Sequence, residues 1–179
     1  MLIKTAHVPR WARASMLFIP AIWLGLIIGI SFLEAPLKFT APGITIPLGL
    51  GIGRRVFLAM NIVEGILGVF LLVALFTLWR NHRYQELPNF KKMRFWGLVA
   101  LALLLVKTVV IRPLLAVHTD RVLEGMFEGG STTHYYYIGG EILLVVALVA
   151  LMVVAMRGLM PPTADVAGVV PHEKTAADE

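Results

Sequence analysis

Four stretches of the chain are apolar over about the 20 residues that a helix needs to cross a bilayer. The first, Ala14–Leu33, carries no charge at all. The second, Val56–Trp79, is broken only by Glu64, the third, Phe95–Ile111, only by Lys107, and the fourth, Tyr135–Met156, only by Glu141. No stretch alternates apolar and polar residues with a period of two, so the pattern predicts helices and not a membrane β-barrel. The expected fold class is all-α, an integral membrane four-helix bundle over residues 1–160, followed by a polar and disordered tail over 161–179.

Between the spans the pattern changes character. The connection Arg80–Arg94 is short and polar. Glu34–Arg55 is rich in Pro and Gly yet apolar, and is expected as a connection that packs on the bundle mouth or dips into the interface. Pro113–Thr133 sets Leu114, Leu115, Val117, Val122, Leu123, Met126 and Phe127 among charged residues. It predicts a short outer amphipathic helix that begins at Thr119 or Asp120 and stops at Gly129-Gly130.

Composition narrows the class. Hydrophobic residues make up 58% of the 179 and charged residues 15%, with a mean hydropathy of +0.81. Soluble domains are nearer half apolar and a quarter charged, so an ordinary soluble enzyme, a disordered chain and a coiled coil are excluded. With no cysteine, disulfide scaffolds, thiol redox chemistry and Cys-ligated metal centres are excluded as well. The net charge of +5 fits anchoring at an anionic membrane face, and no nucleic-acid partner is expected.

The charge distribution sets an expected orientation. Lys4, Arg10, Arg13, Arg80, Arg83, Lys91, Lys92, Arg94, Arg157 and Lys174 lie on one side, and Lys38, Arg54, Arg55, Arg112 and Arg121 on the other. The positive-inside rule then predicts both termini inside, an N-in/C-in topology in a bacterial inner membrane. Trp11, Trp79, Tyr84 and Trp96 would mark the inner interface, and Tyr135, Tyr136 and Tyr137 the outer one. The basic residues before Ala14 resemble a signal peptide. The apolar run behind them is longer than a signal core and lacks a cleavage pattern, so it reads as a retained span.

Shifting the chain by 77 residues aligns Phe18 with Phe95, Pro36-Leu37 with Pro113-Leu114, Gly53 with Gly130, Glu64 with Glu141 and Arg80 with Arg157. Over 17–80 against 94–157, 11 of 64 positions match, the pattern of a parallel tandem repeat of two hairpins. Chance likeness of two membrane hairpins is the competing explanation.

The charges within spans carry the candidate chemistry. A lone ionised group at a span centre costs about 2.5–3.5 kcal/mol on insertion scales, so it persists when paired, hydrated or functional. Glu64 and Glu141 each lie 16 residues before a basic residue, about 24 Å above the inner face, and Lys107 lies about 20 Å above Arg94. All three can share one layer. Asn61 falls on the stripe of Phe57, Glu64 and Gly68 and could hydrogen-bond into the same interface. Gly65 and Gly68, like Gly25 and Gly29 on the first span, would let another helix approach. His134 stacks with Ile138 and Glu141, while Arg112, Lys38 and Glu34 lie further out and could close the layer from above. A purely structural ion pair between Glu64 and Lys107 is the plain alternative. No Glu-x-x-His or His-x-x-x-His spacing is present and the histidines sit at span ends, so neither a metal nor a haem cofactor is expected.

The segment from Trp23 to Glu64 resembles an uncharacterised family of small four-span bacterial inner-membrane proteins. Ser31-Phe32, Pro36, Lys38-Phe39, Gly53-Arg54, Phe57 and Glu64 carry the resemblance. It implies the four-span topology and draws attention to Glu64, but no reaction.

The resulting expectation is a polytopic inner-membrane protein whose Glu/Lys layer binds or transports a small molecule, an ion or a proton. Membrane lipids would surround it, in a homo-oligomer or as a subunit of a membrane complex. The rival is a non-catalytic accessory subunit in which the charges only lock helices together. An intramembrane enzyme is least favoured, because no recognised catalytic set is present.

Overall fold

The computed structural model describes residues 10–81, 85, 89–114, 117 and 132–159. Within them lie four helical rods long and apolar enough to cross a membrane. The first, α1, runs over Arg10–Thr40, the second, α2, over Ile46–Trp79, the third, α3, over Phe90–Leu114, and the fourth, α4, over Thr132–Leu159. They close a ring in which α1 packs on α2 and α4, and α3 packs on α4 and α2.

The rods extend beyond the apolar runs. The expected connection Glu34–Arg55 is corrected here. Helical structure continues through Lys38–Thr40, and the chain turns at 41–45 with Gly43 at φ 83°. The next helix already starts at Ile46, capped by the Thr45 hydroxyl, which accepts from the Leu48 amide. Pro47, in the first turn, lacks only a donor that the helix start leaves unused. At 34 residues, α2 is about 51 Å long, well beyond the ~30 Å hydrocarbon thickness. The expected amphipathic helix within 113–133 and the tail 161–179 lie outside the described residues, apart from the helical ends at 113–114 and from Thr132, and the single residue Val117.

Both odd-numbered rods widen into a π-helical turn, Ile28–Glu34 in α1 and Lys107–Ile111 in α3. In each the amide closing the wide turn bonds five residues back, Ala35 to the Ile30 carbonyl and Arg112 to the Lys107 carbonyl. Each ends two residues before a proline, Pro36 or Pro113. Proline donates no hydrogen bond and crowds the carbonyl four residues behind it, and widening the preceding turn relieves that crowding. The two wide turns stand 77 residues apart. The even rods follow the same offset in burial: Met60, Glu64, Leu71, Ala74 and Leu78 on α2 are buried, and so are Tyr137, Glu141, Leu148, Leu151 and Ala155 on α4.

From the Arg10, Trp79 and Phe90 ends up to mid-bundle, the interior is apolar. Ala12, Met16, Leu71, Leu78, Met93, Leu148 and Leu151 fill it. Gly68 lets α3 come close, since a Cβ there would stand 2.7 Å from Leu104 Cδ2. Gly65, Gly25 and Gly29, expected at helix contacts, face open space instead. Gly68 continues the buried stripe one turn on from Glu64, whereas Gly65 sits beside that stripe and is only partly buried.

Candidate functional site

Above the apolar plug the three span charges meet. The Lys107 ammonium donates to Glu64 Oε1 at 2.6 Å and Oε2 at 2.5 Å, and to Glu141 Oε1 at 3.0 Å. All three residues are at most 1% exposed. The wide turn that begins at Lys107 places its side chain between α2 and α4, whose carboxylates reach it from two sides. Depth counted along the sequence anticipated this layer.

The two carboxylates are not equivalent. Glu64 Oε1 also accepts from the Trp23 indole at 3.0 Å. Glu141 Oε2 is buried and has no hydrogen-bond partner among the described residues. The 77-residue offset explains the difference. The position matching Trp23 is Ala100, fully buried like Trp23 but without a donor. Ile30 likewise stands where Lys107 would repeat, so one ammonium serves two carboxylates.

Two further buried polar atoms share this state. Asn61 donates through Nδ2 to the Phe57 carbonyl of its own helix at 2.6 Å, not across an interface as expected, and its Oδ1 has no partner among the described residues. The Tyr137 hydroxyl stands beside the Glu141 carboxylate and the Ser31 hydroxyl, close enough to interact with both, although neither contact has full hydrogen-bond geometry. Tyr135 and Tyr136 are 73% and 66% exposed, as an interfacial belt requires, whereas Tyr137 turns inward at 4%. Tyr137 precedes Glu141 by four residues, one helical turn, so that spacing was the available signal for it. Trp23 had no such local signal, because its partner is 41 residues away.

Asn61, Tyr137 and Glu141 line the inner end of a pocket of about 820 Å³ to which all four rods contribute. Its walls are mostly apolar, with Phe32 and Pro36 of α1, Phe57 and Leu58 of α2, and Ile138 of α4. Lys38, Arg54 and Arg112 line it further out. Lys38 pairs with Glu34 at 3.4 Å and lies 5.4 Å from the Phe57 ring centroid. Phe57 in turn meets Tyr137 edge-on at 5.4 Å, and the Tyr137 ring centroid is 5.8 Å from the Lys107 ammonium. Two rings between two cations, Lys38, Phe57, Tyr137 and Lys107 in order, therefore join the mouth to the buried layer. Gly49 and Gly53 make room for it. A Cβ on Gly49 would collide with the Phe39 ring, and one on Gly53 would stand 2.7 Å from the Lys38 ammonium.

The site residues expected from the sequence thus separate into groups. Glu64, Lys107 and Glu141 form the layer, Asn61 and Arg112 line the pocket above it, and Glu34 holds Lys38 at the mouth. The side chain of His134 lies outside the described residues. Glu64, to which the family resemblance drew attention, is sealed behind Trp23 and Lys107, and of the two carboxylates the pocket touches Glu141. Comparison of the chain with protein-family models, curated proteins and solved structures gave no match.

Proposed function

We propose that this chain is a multi-pass membrane protein that binds a small molecule in the pocket above the Glu64–Lys107–Glu141 layer. One observation carries the reading: three buried polar atoms that complete no hydrogen bond among the described residues, Asn61 Oδ1, Tyr137 Oη and Glu141 Oε2, belong to residues that line one cavity. Leaving such atoms unpaired costs about 1–3 kcal/mol each, so a site that keeps three of them together is built to be completed. Two carboxylates against one ammonium also leave the layer one positive charge short. A cationic group in the pocket makes up the difference.

The apolar plug below the layer supports binding from one side rather than a through-path in this conformation. The arginine and lysine asymmetry supports an N-in/C-in orientation in a bacterial inner membrane, with the pocket facing outward. The shared offset of the wide turns, the carboxylates and the buried positions supports descent from a parallel repeat of two hairpins.

A second reading, an accessory subunit of a larger membrane complex, rests on Gly25 and Gly29, whose small-residue face on α1 meets nothing among the described residues. Single-cysteine labelling separates the two. A cysteine at Ile138 should react with a membrane-impermeant thiol reagent from the outer side, and a co-purified ligand should protect it. A cysteine at Gly29 protected by partner proteins, with Ile138 unreactive, would favour the accessory subunit.

A further inference from the structure

The pocket has opposite charge at its two ends, and this restricts what can fill it. At the inner end, Asn61 presents an acceptor, because its amide nitrogen is committed to the Phe57 carbonyl. Glu141 Oε2 is a second acceptor, and the Tyr137 hydroxyl can accept as well. A primary ammonium carries three donors and one positive charge, which matches three open atoms and the one charge that the layer lacks. At the outer end stand Lys38, Arg54 and Arg112, the residue types that recognise phosphate. Arg54 lies seven residues before Asn61 on the same face of α2, two turns or about 10 Å of rise, a span that side chains from both levels can close on a short bifunctional head.

The walls decide what the head is attached to. Phe32 and Leu58 line the pocket and are 40% and 47% exposed, and Ile62, one turn on from Leu58 and outside the pocket lining, is 57% exposed. The pocket is therefore continuous with the surface that lipid chains cover. We propose that it takes the headgroup of an aminophospholipid, with the primary ammonium on Glu141, Asn61 and Tyr137 and the phosphate at Lys38, Arg54 and Arg112. The assignment rests on the small-molecule reading above and names its ligand class. A quaternary ammonium lipid has the same net charge but no donors, and an anionic glycerol lipid has donors but no charge for the inner end.

The test is native mass spectrometry of the full-length chain in mild detergent, titrated with phosphatidylethanolamine, phosphatidylcholine, phosphatidylglycerol or free phosphoethanolamine. Phosphatidylethanolamine should bind about tenfold more tightly than phosphatidylcholine, the fold-change for one buried polar group left unpaired. Glu141→Gln should erase that preference, and Asn61→Leu, which leaves the ion layer untouched, should reduce it. Arg112→Gln should weaken both phospholipids alike. Equal binding of the two zwitterionic lipids, or preference for phosphatidylglycerol, would overturn the assignment. Free phosphoethanolamine binding as tightly as the lipid would overturn the lipid source and point to a soluble ligand. If Ile138→Cys still labels from outside and no lipid preference appears, only this inference fails. If that cysteine is unreactive as well, the small-molecule reading falls with it.

Discussion

Trp23 and Ala100 stand 77 positions apart, at matching places in two hairpins, and both are fully buried, yet only Trp23 carries a hydrogen-bond donor. That difference, together with the second contact that Glu64 receives from Lys107, closes one carboxylate of the layer, while the other reaches a pocket. Glu64 has the indole and both contacts from Lys107, while Glu141 has one contact and one free oxygen.

The carboxylates should therefore respond differently to neutralisation. Lys107→Met strands two buried acids and should cost about 3–5 kcal/mol, reduced where lipid or water relieves the charge. Glu141→Gln leaves a one-to-one Lys107–Glu64 pair and should stay close to wild-type stability, whereas Glu64→Gln removes the doubly bonded partner and should be clearly worse. Thermal unfolding in detergent measures all three. Equal losses for the two glutamine variants would contradict the asymmetry.

Trp23→Phe keeps most of the ring volume and deletes the donor to Glu64. The expected loss is about 1–3 kcal/mol, from one buried oxygen left with fewer partners. Adding Glu64→Leu, which removes the acceptor, should make the Trp23 substitution nearly neutral if the hydrogen bond is its main role. A double-mutant cycle in the same thermal assay reads the coupling.

Gly53→Ala and Gly68→Val probe two kinds of close approach. At Gly53 the obstructing atom is the end of a flexible lysine, so stability should change by no more than about 1 kcal/mol. Displacing Lys38 from Glu34 and Phe57 should nevertheless weaken ligand binding at the mouth. At Gly68 a valine meets Leu104, Leu101 and Trp23 together, and the overpacking should cost about 1–3 kcal/mol. Melting temperature and ligand binding measured side by side distinguish the two.

Orientation is checked independently of stability. Reporter fusions after Asn89 and after Glu179 should both report the cytoplasm. A periplasmic signal from either would reverse the expected direction of the pocket.

Cysteine scanning maps the pocket against the plug, helped by the lack of any native cysteine. Cysteines at Asn61 and Ile138 should react from the outer side, and cysteines at Leu71 and Leu148, both fully buried in the apolar layer, should resist labelling from either side. Reactivity at Leu71 from the inner side would indicate a through-path and favour transport.

The sequence by itself determined the four apolar helices and the depth of their charges. Both follow from local rules: hydrocarbon excludes unpaired backbone and lone charge, and a helix rises by a constant amount per residue. It also placed Glu64, Lys107 and Glu141 in one layer before any contact was known. Helix ends were less legible, because Ile46–Arg55 is rich in glycine and proline and is nevertheless helical, with Gly49 and Gly53 letting α1 lean on α2. Only the tertiary structure decided which carboxylate is sealed and which faces the pocket. That choice depends on an indole 41 residues from Glu64, on a tyrosine turned inward from an otherwise exposed triplet, and on an asparagine that spends its donor on its own helix. Hydrogen-bond partners are set by which side chains packing brings within about 3 Å of one another, and no spacing along a single helix encodes that distance.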